Sequence, residues 1–176
     1  MDSGVRISVV ETERLTLRPL VPDDLPELRR LHGDPEVMRF LDQDKPEDVL
    51  ADDCFRAAIE KSSGRFVGWF EFLETGDGTA ELGYRLHRGF WGLGYATEGG
   101  KALIERGFTT GGVQRVVATT MFVNAGSRRV MEKCGLRHVR TFHLDWDEPL
   151  TGSEHGEVEY ALTREEWLAA KNRSNW

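Results

Sequence analysis

Glycines at positions 92 and 94, just ahead of a run with helical spacing, are the residues whose type and placement first point to chemistry. They sit in Arg88-Gly89-Phe90-Trp91-Gly92-Leu93-Gly94-Tyr95-Ala96-Thr97-Glu98. Glycine permits dihedrals that a Cβ forbids, so several N–H groups of such a loop can converge on one point. A helix opening there adds the positive end of its macrodipole. The turn therefore suits a pyrophosphate; a glycine-rich turn without a ligand is the other reading. A phosphate loop of the G-K-[ST] kind is excluded, because Gly94 is followed by Tyr95 and Ala96. A dinucleotide-binding fingerprint fails as well. The third glycine would fall at Thr97, and Arg115 to Val123 carries no acid for a ribose.

Charge is divided along the chain. The 176 residues carry a net charge of −7, yet residues 85–137 hold nine basic residues against three acidic ones. A basic island in an acidic chain fits one anionic ligand handled locally, or an excess on a solvated face. The overall acidity argues against nonspecific nucleic-acid binding. The five histidines show no metal-ligand spacing, so no metal is expected. Cys54 and Cys134 form no C-x-x-C pair and are expected to be reduced and buried. No stretch reaches the roughly 18–20 apolar residues that span a bilayer. Met1 to Arg6 reads as neither a signal nor a transit peptide, so a cytoplasmic location is expected.

The elements that must position the loop follow from periodicity. Arg14 to Arg18 alternates as a half-buried strand, and Leu25, Leu28 and Leu31 make a helical stripe ending at Gly33. A short helix is expected over Asp34 to Leu41, with Pro35 at its first position. Asp44 to Leu50 starts like a helix, whereas Phe55 to Glu60 reads as the first arm of a hairpin turned at Ser62-Ser63-Gly64. Arg65 to Leu73 and Thr79 to Leu86 are further strands, giving an antiparallel meander. Tyr95 to Phe108 is helical, and Arg115 to Phe122 is an apolar strand buried on both faces. That strand–loop–helix–strand unit implies a right-handed crossover and a parallel pair. A helix capped by Asn124 runs from Ala125 to Lys133; strands follow near Arg137–Leu144 and Val158–Leu162. Thr163-Arg164-Glu165-Glu166 opens a terminal helical turn as a capping box. Residues 1–176 read as one α/β domain with its core at about 11–167.

Three segments resemble the GCN5-related N-acetyltransferase family, in its branch of ribosomal-protein N-terminal acetyltransferase-like enzymes. They are Ala80-Glu81-Leu82-Gly83-Tyr84-Arg85-Leu86, then Trp91 to Glu98 against W-G-x-G-Y-A-T-E, then Asn124-Ala125-Gly126-Ser127 with Glu132-Lys133-Cys134-Gly135-Leu136. The resemblance implies a mixed, mostly antiparallel sheet of six to seven strands with one splayed parallel pair and helices on both faces. It also implies acetyl-coenzyme A as co-substrate. The backbone of Tyr84, Arg85 and Leu86 would meet its pantetheine arm. Trp91, Gly92, Leu93, Gly94, Tyr95, Ala96 and Thr97 would cradle the pyrophosphate. The family places Gln or Arg where this chain has Gly89, and the basic side chain is instead Arg88. Asn124 would cap its helix and contact the pantetheine.

The same resemblance assigns Ser127 as proton donor to the departing thiolate, with an ordinary first-turn serine as the plain reading. Glu81 matches a base used by family members. Glu71 on the preceding strand is its rival, and a water chain the third option. The resemblance also implies a primary amine as acceptor, on a peptide N-terminus or a small molecule, reached in a ternary complex. A transferase using another acyl-CoA such as succinyl-CoA, and a non-catalytic acyl-CoA sensor, are the alternatives. The short segment between Leu41 and Phe55 suggests an open acceptor groove. Homodimers are common among such proteins and are carried as an expectation. Trp69, Phe70, Phe72, Phe90 and Trp91 read as core or as a wall of the site, and Gly99-Gly100 as a close approach of helix to sheet or cofactor.

Overall fold

A computed structural model describes residues 9–41 and 44–174; Met1 to Arg6 lie outside them. In chain order the elements are β1 (Val10–Glu11), β2 (Leu15–Pro19), α1 (Leu25–His32), α2 (Pro46–Ala51), β3 (Phe55–Glu60), β4 (Phe66–Glu74) and β5 (Thr79–Leu86). Then come α3 (Tyr95–Thr109), β6 (Arg115–Met121), α4 (Ala125–Lys133), β7 (Arg137–Phe142), β8 (Glu157–Thr163) and α5 (Arg164–Arg173). The strands form one eight-stranded sheet in the order β1-β2-β3-β4-β5-β6-β8-β7. Every neighbour is antiparallel except β5 and β6, which are parallel. The α3 crossover from β5 to β6 is what makes that pair parallel, as its length requires.

The eighth strand, β1, escaped the sequence reading because two residues offer no alternation to detect. The helix expected over Asp34 to Leu41 is absent. Met38 N–H reaches Asp34 O at 3.0 Å and Leu41 N–H reaches Met38 O at 3.1 Å, two separate turns without a ladder. Asp34 is drawn elsewhere: one carboxylate oxygen accepts Glu36 N–H at 3.0 Å and the other accepts Arg88 Nε–H at 2.7 Å. Both readings of the ambiguous segment hold in sequence, α2 first and the β3–β4 hairpin after it. The capping box at Thr163 forms as expected but opens a ten-residue helix rather than a single turn.

Helices cover both faces. Leu103, Ile104 and Phe108 of α3 and Met131 of α4 join Leu15, Leu17, Val67, Phe70, Leu82 and Val116 in the larger core. On the other face Leu28 and Leu31 of α1 and Val49 of α2 pack on Ala57, Phe66 and Trp69. Neighbouring residues Trp69 and Phe70 thus serve opposite faces, as strand alternation demands. The aromatic residues of β4 divide accordingly. Phe70 and Phe72 point at α3, where glycines make notches for their rings. A Cβ on Gly99 would lie 2.3 Å from Phe70 Cζ, and one on Gly107 would lie 2.6 Å from Phe72 Cζ. Close approach of helix to sheet explains Gly99, and Phe70, Phe72 and Phe90 belong to the packing of this face.

This fit has a measurable consequence. In an ordinary helix interior Gly→Ala stabilises by ~1 kcal/mol. Gly99→Ala should instead destabilise by about 1–3 kcal/mol, because Phe70 has nowhere to move. Urea denaturation reads the sign, and a raised midpoint would mean the notch is not what requires the glycine.

Candidate active site

The parallel ladder between β5 and β6 is short. It joins Thr79 to Arg115, Ala80 to Val116 and Glu81 to Val117, and then stops, although both strands continue. On its other side β5 stays paired with β4 as far as Leu86. From Leu82 to Leu86, β5 therefore has a strand on one edge only, and a cleft opens between the two strands. Main-chain groups left unpaired in such a cleft are costly unless water or a ligand meets them.

Beyond Leu86 the chain turns through Arg88–Phe90 into the glycine loop. Gly92 and Gly94 have φ of 73° and 84°, and Gly94 is the N-cap of α3. Trp91 to Gly94 are exposed, and a Cβ on Gly92 would meet nothing within 4 Å, so the approach to the helix terminus is open. The loop is braced from behind. Arg14 donates to Leu93 O at 2.8 Å and to Glu98 at 2.9 Å, and Glu98 also accepts from Thr12 Oγ1 at 2.6 Å. The Tyr95 hydroxyl donates to Glu60, and the Arg14 guanidinium lies over the Tyr95 ring. The side chains of Tyr95 and Glu98 thus brace the loop from β1–β3, on the side away from its exposed residues 91–94. Arg88 is turned to the segment just after α1, paired with Asp34 at 2.7 Å, and Trp91 Nε1 donates to Leu86 O at 2.9 Å.

Asn124 and Ser127 meet at the start of α4. Asn124 Oδ1 accepts Ser127 N–H at 3.2 Å, the expected cap. Tyr84 reaches across from the open part of β5, its hydroxyl 3.0 Å from Ser127 O and 2.9 Å from Ser127 Oγ. Burial pushes the Tyr84 phenol above its ordinary value.

The opposite face of β4 and β5 is acidic. Glu71 stands across from Gly83 in the ladder, and a Cβ on Gly83 would lie 2.8 Å from Glu71 Oε2. The missing side chain is what lets this carboxylate lie over β5. Burial first, then the charges of Glu81, Asp52 and Asp44, push Glu71 up to about 7. Cys54, half-buried, has its thiol 3.9 Å from Glu71 Oε1 and is itself pushed up by burial. Cys134, the other free thiol, is buried against α3 and stands at about 12. Arg85 shows a role that sequence reasoning missed. Its side chain is only 4% exposed, pairs with Asp44 at 3.2 Å and lies over the Trp69 ring. His32 completes the group, accepting Trp69 Nε1–H at 3.2 Å with Nε2 while Nδ1 lies 3.0 Å from Asp44 O. Burial holds this imidazole below its ordinary value. Lone residues 37 and 53 positions apart carried no local signal.

Seen across β5, the expected residues fall into two sets. Tyr84, Asn124 and Ser127 lie on the α3–α4 face, and Glu71, Gly83 and Arg85 on the α1–α2 face. β5, unpaired with β6 beyond Glu81, lies between the two sets.

Comparison with known proteins identifies the family. Residues 14–137 match the acetyltransferase (GNAT) domain family. The chain is 35% identical to the FsC-acetyl coenzyme A-N(2)-transacetylase of Aspergillus fumigatus, covering 95% of this chain and 83% of that protein. It superposes on a GNAT-family acetyltransferase from Bacillus anthracis with a TM-score of 0.77 at 25% identity, over 90% of this chain and 100% of that one. A spermidine N-acetyltransferase from Vibrio cholerae, solved with CoA and spermine, shares the fold with a TM-score of 0.74 at 15% identity, over 88% and 98% of the two chains. The protein belongs to the GNAT acetyltransferase family and is an acyltransferase. Among the described residues no helix is long and apolar enough to cross a membrane.

The state of Glu71 is open to a test that needs no substrate. A carboxyl that titrates near 7 when folded, against an ordinary 4.5, favours the protonated fold. Stability is then lost as pH rises from about 4.5 through 7. Glu71→Gln mimics the neutral acid, so it should match the parent protein at pH 4.5 and exceed it at pH 8. We expect a gain of ~1–2 kcal/mol, less than the full linkage because the carboxyl keeps some solvent. Denaturant curves at the two pH values measure it; equal differences at both would place the Glu71 carboxyl in ordinary water.

Proposed function

We propose that the protein transfers an acetyl group from acetyl-coenzyme A to a primary amine within a ternary complex. One observation carries the reading: a carboxyl that titrates near neutrality and a helix-capped serine lie on opposite faces of the strand that borders the cleft. The residues fit the co-substrate. The main-chain amides of Gly92 to Thr97 suit its diphosphate, and the unpaired edge at Tyr84 to Leu86 suits its pantetheine amides as a short added strand. Acetyl-coenzyme A supplies an acetyl group activated as a thioester.

Glu71 is the base in this scheme, and Glu81 is the neighbouring charge that helps raise it. Glu71 takes the proton that the amine sheds as nitrogen bonds to the acetyl carbon. Ser127 gives its Oγ proton to the sulfur as the carbon–sulfur bond breaks, and solvent restores it. A base near 7 is matched to this work, since about half of it is free at pH 7 and it is still a useful acceptor. The acid-lined face also attracts a protonated amine. An α-amine with a pKa near 7.7–8.0 is roughly 10–15% neutral at pH 7, whereas a lysine near 10.4 is neutral in about one molecule of 2,500. The site is therefore best suited to an α-amine, on a peptide or a small molecule; the spermidine enzyme of the same fold is a reminder that amines of other kinds belong in the assay.

Thiol release from acetyl-coenzyme A with a panel of amines tests the reaction, and no release together with no binding heat would remove it. With a working amine, kcat/KM should rise with pH through about 7 as Glu71 loses its proton. Glu71→Gln should lower kcat about 10²–10⁴-fold and remove the part of that rise centred near 7, leaving the rise that follows the amine's own deprotonation. Glu81→Gln should keep turnover and move the rise to lower pH, because a like charge is gone. The reverse pattern would transfer the base role to Glu81.

A further inference from the structure

Ser127 is held by three hydrogen bonds, and two of them come from one side chain. Its N–H is fixed by Asn124 Oδ1 at 3.2 Å, which sets the backbone of the first turn of α4. The Tyr84 hydroxyl lies 3.0 Å from Ser127 O and 2.9 Å from Ser127 Oγ. A carbonyl only accepts, whereas each hydroxyl has one proton to give. The pair therefore has two arrangements. In the first, Tyr84 donates to Ser127 O, and the Ser127 proton is donated back to the phenol. In the second, Tyr84 donates to Ser127 Oγ, and the Ser127 proton is free to point away into the cleft. The carbonyl loses little in the second arrangement, because it lies inside α4 and the helix supplies its own donor. One small rotation of two hydroxyl groups separates the states.

We propose that Tyr84 is a positioning residue that aims the Ser127 hydroxyl into the cleft and keeps a hydrogen bond on its oxygen as the proton leaves. The inference rests on the reading of Ser127 as proton donor. The phenol itself stays neutral: burial raises it, and it has no basic partner in this pair. Cys134, the other titratable group that acts on it, is likewise neutral at working pH, with its thiol at about 12. The geometry also accounts for a tyrosine at 84, where packing alone would accept phenylalanine. Its ring lies against the core of the α3–α4 face, with Phe70 at a centroid distance of 6.2 Å, and its hydroxyl reaches the first turn of α4.

Two readouts test this, one of them independent of turnover. A donor aimed at the sulfur lowers the pKa of the bound coenzyme A thiol, because it favours the thiolate. That pKa is measured by following the thiolate ultraviolet absorbance of the protein–coenzyme A complex against pH. Tyr84→Phe should raise it and lower kcat by about tenfold at most, the scale of one hydrogen bond. The acceptor KM and the coenzyme A dissociation constant from calorimetry should hold. Ser127→Ala should produce the same two changes or larger ones. The double variant should match Ser127→Ala, since Tyr84 acts through that hydroxyl alone.

If Ser127→Ala leaves both quantities unchanged, the donor reading fails and this inference falls with it. If Ser127→Ala changes them and Tyr84→Phe does not, or Tyr84→Phe adds its full effect on top of Ser127→Ala, the donor reading survives and the positioning role is overturned. Should Tyr84→Phe fail to fold, a ring-fluorinated tyrosine at position 84 keeps the shape and donates more strongly. It should lower the bound-thiol pKa, and an unchanged value overturns the proposal.

Discussion

A parallel ladder of three residue pairs, broken off while both strands run on, is the constraint from which the rest of the site follows. Peptide groups beyond Glu81 and Val117 face a gap on one edge of each strand. Such groups are tolerated where water or an amide-bearing ligand can meet them, and an extended chain of matching spacing is the natural occupant. Strand alternation then places Tyr84 on the side of α4 and Glu71, Gly83 and Arg85 on the side of α1 and α2. Ser127 and the Glu71 carboxyl thus stand on opposite sides of one strand.

The glycine loop works only because it is held. Glycines at φ of 73° and 84° allow the turn but resist nothing, so order must come from outside. Arg14 and Glu98 provide it by lashing the loop and the first turn of α3 to the β1–β2 corner, and Tyr95 anchors the same turn to β3 through Glu60. The polar residues of the loop motif thus serve its rear, while its front is main chain. On the other face the balance is electrostatic. Partial burial and the charges of three carboxylates, Glu81, Asp52 and Asp44, raise a fourth, Glu71, into the neutral range, and Arg85, shielded beneath Trp69 and tied to Asp44, limits the accumulated charge.

Much of this was legible in one dimension. The 3.6 and 2.0 periodicities located α3, α4 and the seven longer strands to within a residue or two, because each of those elements buries a regular stripe. The crossover rule made β5 and β6 parallel, and the spacing of Asn124 and Ser127 made a capped helix start. Where local residues had competing partners the reading failed. Asp34 looked like a helix opener and instead serves Arg88, 54 residues away.

The sequence by itself determined the class of fold, the anion-suited turn and the family, because each rests on interactions among near neighbours or on a contiguous motif. Tertiary structure alone decided which carboxyl is raised, where Arg85 and Arg88 point, and that Tyr84 meets Ser127. Those outcomes depend on burial and on contacts across 12 to 54 positions of chain, set when β4, β5 and the helices pack. A glycine at 83 has no meaning until the strand opposite it brings Glu71, and desolvation, the largest influence on that carboxyl, does not exist before the core forms.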